Sequence, residues 1–273
     1  MIAVTGSTGE LGGRVARRLA EAGVRQRLVV RDADRAPRLD GAELALAPGY
    51  HDGEAMRRAF AGADTVFLVS GRESPNRIDE HFSAVDAAAD AGVRRVVYTS
   101  FLAAAPDATF TLGRHHWATE QRIRERGLDF TFLRDSLYLD FISFFAGEEG
   151  VIRGPAGDGR FAPVAREDVA DVAAAVLTGD GHDGQAYGLT GGELRTMAEW
   201  AAQLAEVTGR RIEYVEETVD EAFASRARFG APDWEVEGWV SSYLAIRAGE
   251  LDVVTDCVER ITGHPPRMLA DIL

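Results

Sequence analysis

Gly6, Gly9 and Gly12 stand in G-x-x-G-x-x-G spacing, after the apolar run at residues 2–5 and before helically spaced Val15, Leu19 and Ala22. At such a strand-to-helix turn each glycine has a separate task. The first permits the tight turn, the second lets backbone approach a pyrophosphate, and the third lets helix and strand pack closely. The free N–H groups at the helix start, around Glu10 and Leu11, then hold phosphate charge with the help of the helix dipole. Ser7 and Thr8 add hydroxyl donors. The chemistry expected here is dinucleotide binding.

Arg31 follows about 25 residues past the first glycine, at the end of the next apolar run. Enzymes using NAD place a carboxylate there for the ribose 2′-hydroxyl, and those using NADP an arginine for the 2′-phosphate. A guanidinium grips phosphate in a bidentate, charge-assisted way, so Arg31 points to NADP(H), with Arg35 in support. A solvated Arg31 beside Asp32 as the true ribose ligand is the competing reading.

Ser70-Gly71 and Thr99-Ser100 end two later strands, where small hydroxyl residues can touch ribose or nicotinamide; ordinary turn chemistry is the alternative. His115 and His116 open a long helix. An imidazole there can donate a proton near neutral pH, as reduction of a carbonyl or quinone oxygen requires. The bland alternatives are a surface histidine and a His116–Glu120 pair at i, i+4 spacing. No third ligand accompanies them, so no metal is expected. Arg134-Asp135-Ser136-Leu137-Tyr138 follows the sixth strand, at the nicotinamide end. The aromatic cluster beyond it is read either as a wall for a flat substrate or as packing between two lobes.

These residues need a scaffold, and the chain's periodicity predicts one. Strand patterns at residues 2–5, 27–30, 43–47, 65–69, 95–98, 130–133 and 186–189 alternate with helical ones at 14–22, 54–61, 76–91, 113–126 and 166–177. Repeated β-α units of this length imply an α/β fold, a Rossmann-type doubly wound parallel sheet with its ligand at the carboxyl ends of the strands. Past residue 135 the regularity breaks. Residues 147–159 read as a glycine-rich loop, 196–208 as helix, 211–215 as strand, 220–228 and 234–247 as helices, with a short last helix past Pro265-Pro266. The expected division is an NADP-binding domain at residues 1–150, with 166–190 packing back onto it, and a smaller substrate-facing α/β lobe at 151–273.

With 273 residues, 46% of them apolar, the chain can bury a sizeable core. Net charge is −14 and the pI about 4.9, so no basic field holds nucleic acid or an anionic membrane. A single cysteine, Cys257, excludes a disulfide framework and fits a cytoplasmic setting. No apolar run approaches the roughly 20 residues of a membrane span, and no secretion signal is expected. All 30 basic residues are arginine. Mechanisms resting on lysine, such as a Schiff base, a Walker-A clamp or a Tyr-x-x-x-Lys pair, are therefore absent.

Taken together, Thr5–Gly12, Val-Val-Arg-Asp ending at Asp32, Val-Val-Tyr-Thr-Ser ending at Ser100, His-Trp-Ala-Thr-Glu at 116–120, Phe-Leu-Arg-Asp ending at Asp135 and Val-Ala-Arg-Glu-Asp-Val-Ala ending at Ala170 resemble the NmrA-like atypical short-chain dehydrogenases. The likeness is nearest to their bacterial NADPH-dependent quinone oxidoreductases, and Gly-His-Pro-Pro-Arg at 263–267 extends it over nearly the whole chain. The resemblance implies NADPH in the glycine-loop cleft and a substrate pocket between two lobes. It implies a cofactor lining of the glycine loop, Arg31, Ser70, Gly71, Arg72 and the turn Asp135, Ser136, Leu137, Tyr138. His116 falls where related reductases carry a catalytic lysine, with Tyr138 a lesser candidate. Gly49 replaces an acidic residue that contacts adenine, and Asp135 an asparagine near the nicotinamide carboxamide. The implied activity is reduction of a quinone or related conjugated carbonyl by hydride transfer, the substrate small, flat and apolar, with a homodimer compatible. The alternatives are a non-catalytic NADP(H)-binding redox sensor and an enone or imine reduction on the same scaffold.

Overall fold

A computed structural model describes all residues 1–273. The first half alternates as expected: β1 (Ile2–Val4), α1 (Glu10–Glu21), β2 (Gln26–Val30), β3 (Ala42–Leu46), α2 (Gly53–Phe60), β4 (Thr65–Leu68), α3 (Arg77–Asp90), β5 (Arg95–Phe101), α4 (Thr111–Glu125) and β6 (Asp129–Asp135). There follow α5 (Asp140–Ala146), β7 (Val151–Gly154), β8 (Arg160–Phe161), α6 (Arg166–Thr178), β9 (Gln185–Leu189), β10 (Arg195–Thr196), α7 (Met197–Thr208), β11 (Glu213–Glu216), α8 (Val219–Arg226), α9 (Asp233–Arg247) and α10 (Cys257–Thr262). Seven strands make one sheet in the order β3-β2-β1-β4-β5-β6-β9. The pairs from β3 across to β5 are parallel, Val4 sitting opposite Leu28 on one side and Phe67 on the other. This is the doubly wound sheet that the periodicity predicts. Strand order reverses beside β1, which places the β1 and β4 exits at the switch point where such sheets bind ligands.

Two compact units divide the chain. The first comprises residues 1–100, 115–134 and 166–187, the second 101–114, 135–165 and 188–273. The chain passes between them several times. In the first unit, β4 and β5 are buried on both faces, as parallel strands covered by helices must be. Its core joins Met56, Phe60, Val66, Leu68, Tyr98, Ile123 and Phe132. Helix α6 lies against α1 through arginine–carboxylate contacts, Arg14 Nε to Glu167 at 2.6 Å and Arg18 Nε to Asp171 at 2.6 Å.

Residues 147–159 depart from the loop expectation. They contain β7, paired in parallel with β11 from Val151–Glu213 to Gly154–Glu216. Gly154 is there for space: a Cβ at this position would lie 2.4 Å from the Tyr243 ring. The helix predicted at 14–22 begins earlier, at Glu10, because Gly12 and Gly13 belong to it. Their low helix propensity hides that first turn from a propensity reading. No helix is long and apolar enough to cross a membrane.

Candidate functional site

At two positions of the β1–α1 turn, Gly6 and Gly12, only glycine fits. Gly6 has φ +63°, the left-handed region. A Cβ on Gly12 would lie 2.4 Å from the Gly6 carbonyl oxygen and 2.7 Å from that of Thr5, so the helix starts in direct contact with the strand exit. Gly9 caps α1 without a side-chain hydrogen bond. The first-turn N–H groups, which have no partners within a helix, are thereby left to an external acceptor. The Ser7 hydroxyl is buried and unpartnered. The Glu10 carboxylate, mostly exposed, is neutralised by Arg14. Donors without acceptors around a cradle that admits no side chain fit a diphosphate.

Arg31 is exposed at the end of β2 and has no ion pair or hydrogen bond. Asp32 is engaged: its Oδ1 accepts from the Asp34 N–H at 3.0 Å and caps the short turn Ala33–Arg35. The local geometry therefore leaves the guanidinium, rather than the carboxylate, ready for the adenosine ribose. Arg72 is likewise exposed.

The two hydroxyl residues at the end of β5 lie deeper. Thr99 and Ser100 are 1% and 4% exposed, and their hydroxyls face inward. Thr99 Oγ1 accepts from the Ser70 N–H at 2.7 Å, and Ser100 Oγ donates to Glu120 at 2.7 Å. Both hydroxyls hold neighbouring protein groups. His116 and Glu120 do not pair along the helix. Glu120, wholly buried, takes both ends of the Arg134 guanidinium at 2.9 and 2.7 Å.

His116 is buried, with both ring nitrogens occupied. Arg77 Nη2 donates to its Nε2 at 3.1 Å, and its Nδ1 lies 3.0 Å from the Tyr98 hydroxyl. Because arginine only donates, Nε2 must be the bare nitrogen and Nδ1 must carry the proton. Burial first, then the Arg77 guanidinium, pushes this imidazole well below the usual histidine range. At neutral pH it is uncharged, which argues against an imidazolium acting as proton donor. Sequence reasoning missed its partners. Arg77, in the first turn of α3, reads as a surface residue in one dimension and is 3% exposed in three.

In the second unit, Asp135 is 3% exposed. Its Oδ2 accepts from the Tyr138 hydroxyl at 2.9 Å, and its Oδ1 has no partner. Ser136 Oγ is also buried without a partner. Burial raises the Asp135 carboxyl well above the usual carboxylate range, the Tyr138 bond opposing only part of that rise. The folded protein thus retains a proton that the unfolded chain loses near pH 4. The sign follows. Below the unfolded pKa the group is neutral in both states and has no effect. As pH rises past it, folded stability falls by about 1.4 kcal/mol per pH unit until the folded pKa is reached. Asp135→Asn, which keeps the shape without the charge, is expected to melt like the parent at pH 4. Without nucleotide it should melt several degrees higher at neutral pH. Melting curves across that range check this; a gap independent of pH would contradict it.

The second unit also holds a cavity of about 300 Å³ at the end of β5, lined by Leu102, Ala103, Ala104, Ala105, Ala108 and Glu250 among others. On α5, Phe141 stacks on Phe145 with centroids 5.9 Å apart, while Phe144 is 75% exposed.

Comparison with known proteins adds to this geometry. Residues 6–180 match the NAD(P)H-binding family model. The chain is 38% identical to (4-alkanoyl-5-oxo-2,5-dihydrofuran-3-yl)methyl phosphate reductase of Streptomyces griseus, covering 99% of this chain and 96% of that protein. It is 31% identical to NAD(P)H azoreductase of Xenophilus azovorans, over 99% of this chain and 96% of that one. Among solved structures, the NADPH-dependent quinone oxidoreductase of Escherichia coli complexed with NADPH matches with TM-score 0.92 and 31% identity, over 100% of this chain and 98% of that one.

Proposed function

The chain belongs to the NAD(P)H-binding family, with NmrA-like oxidoreductases among its relatives, and we propose that it is an NADPH-dependent reductase of quinones or related conjugated carbonyls. What carries the reading is the whole-chain likeness to a quinone oxidoreductase solved with NADPH. The β1–α1 turn, which requires glycine at Gly6 and Gly12, agrees with it. NADPH supplies the hydride when bound. The first turn of α1 and Ser7 hold the diphosphate, and Arg31 grips the 2′-phosphate. Within the first unit, Ser70, Gly71 and Arg72 at the β4 exit would continue the cofactor lining; within the second, the turn Asp135, Ser136, Leu137 and Tyr138 is the candidate for the nicotinamide. His116 stays neutral, with its ring nitrogens engaged by Arg77 and Tyr98, so the reading assigns the proton that completes reduction to solvent rather than to this imidazole.

The experiment is NADPH oxidation with a panel of quinones and conjugated carbonyls. Turnover with at least one supports the reading; tight NADPH binding without turnover on any would leave a nucleotide-binding protein that is no such reductase. The cofactor choice has its own test. Arg31→Ala removes a charge-assisted phosphate contact, which should weaken NADPH binding about 10- to 100-fold and leave NADH binding unchanged. An equal loss for both nucleotides would remove Arg31 from the 2′-phosphate.

A further inference from the structure

The peptide of Gly71, just past β4, is held from both edges by side chains that no reading of the glycine turn or Arg31 requires. Its N–H donates to His81 Nε2 at 2.8 Å, and its carbonyl accepts from Arg77 Nε at 2.9 Å. Both side chains come from α3, and both are buried, His81 completely. The bond from Gly71 makes Nε2 of His81 the bare nitrogen, since a backbone N–H only donates. Its Nδ1 therefore carries the proton and donates to Thr119 Oγ1 at 2.8 Å. Thr119 in turn donates to the His115 carbonyl at 2.8 Å, tying the assembly to α4. Arg77 reaches His116 on the same helix.

Arg77 is the unusual member. It is a buried guanidinium that hydrogen-bonds no carboxylate, Glu73 and Glu80 acting on it only electrostatically, and its Nη1 makes no hydrogen bond. Burying a cation whose counter-charges act only from a distance is costly, and a well-packed apolar side chain would be the stable choice if folding were the only demand. The neighbouring bonds show what the guanidinium does there. The Ser70 N–H donates to Thr99, and the Val69 N–H donates to Thr5 Oγ1 at 2.9 Å. The Tyr50 hydroxyl donates to the Val69 carbonyl at 2.6 Å. Successive peptide groups leaving β4 are thus anchored to buried side chains.

We propose that Arg77 and His81 are positioning residues for the nucleotide: by clamping the Gly71 peptide at both edges they set the course of residues 70–72, along which NADPH lies. The proposal rests on the NADPH reading above. It makes the neutral form of His81 the working one, because a proton on Nε2 would confront the Gly71 N–H with a second donor. Burial, then Arg77 and His115, holds this imidazole well below the usual histidine range. The groups facing it are Arg77 from α3, Tyr50 from the segment before α2, Tyr98 from β5, and His115, His116 and Thr119 from α4.

The test is NADPH titration, by quenching of intrinsic fluorescence, of the parent, His81→Leu and His81→Gln, with circular dichroism at each pH. A glutamine oxygen can accept from the Gly71 N–H but does not titrate. His81→Leu should weaken NADPH binding at least 10-fold while the quinone KM moves less than about threefold. His81→Gln should stay within about threefold of the parent at neutral pH. The parent should lose affinity toward acid while still folded, and His81→Gln should not. Undiminished NADPH affinity in His81→Leu would overturn the proposal. If that variant fails to fold, the pH profiles decide: the same acid loss in the parent and His81→Gln overturns the clamp. Failure of the parent itself to bind NADPH would instead bring down the cofactor reading.

Discussion

Gly12→Ala is expected to abolish useful NADPH binding, raising Kd at least 100-fold, and to lower the melting temperature as well. The added Cβ would lie 2.4 Å from the Gly6 carbonyl oxygen, 2.5 Å from the Gly6 carbonyl carbon and 2.7 Å from the Thr5 oxygen. All three are backbone atoms of the turn, with no flexible side-chain end to swing aside. Helix α1 must therefore withdraw from β1, at a cost of about 1–3 kcal/mol for overpacking. Withdrawal also displaces the first-turn N–H groups from the phosphate position, so affinity suffers more than stability does. Fluorescence titration beside thermal unfolding separates the two effects. Gly23→Ala is the stability control, since Gly23 has a positive φ but nothing near its missing Cβ. It should destabilise without touching NADPH. Near-parental affinity in Gly12→Ala would mean that the turn is not the diphosphate cradle.

The second large effect belongs to Glu120. This carboxylate is wholly buried, accepts two bonds from Arg134 and one from Ser100, and lies 3.6 Å from Arg124. Glu120→Ala leaves the Ser100 hydroxyl and a half-buried guanidinium without their acceptor. Breaking a buried ion pair from one side typically costs about 3–5 kcal/mol. For a chain of this size that corresponds to a fall of roughly 6–20 °C in melting temperature. The hydrogen bond that Arg134 donates to Glu120, which raises the Arg134 pKa, is the interaction lost. Removing both charges in Glu120→Leu/Arg134→Leu should recover part of the loss, because much of it is the penalty of a stranded partner. Urea unfolding of the parent, Glu120→Leu, Arg134→Leu and the double variant checks this as a double-mutant cycle. Additive losses would show that the two side chains act independently.

How much of this could be read in one dimension depended on the range of the interaction. The alternation of apolar runs with helical spacing gives the strand and helix sequence, because those patterns reflect what each segment buries. The glycine spacing and Arg31 were legible too, since a strand-to-helix turn and the residue ending the next strand are set by local geometry. The identity of side-chain partners was not. Arg77 and His81 on α3 meet Gly71, Tyr98, Thr119 and His116 only because the sheet brings β4, β5 and α4 together. Thr99 and Ser100 face inward for the same reason: bonds to Ser70 and Glu120 become available only after folding.

On its own, the order of amino acids settled the Rossmann architecture and marked the glycine turn proposed for a dinucleotide's phosphates, because backbone conformation and short-range periodicity dictate both. Protonation states, tautomers and the assignment of each hydroxyl were decided by the folded chain, since burial and contacts between distant segments set the electrostatics. That is why His116 reads as a proton donor in the sequence and is a neutral, doubly bonded imidazole in the structure.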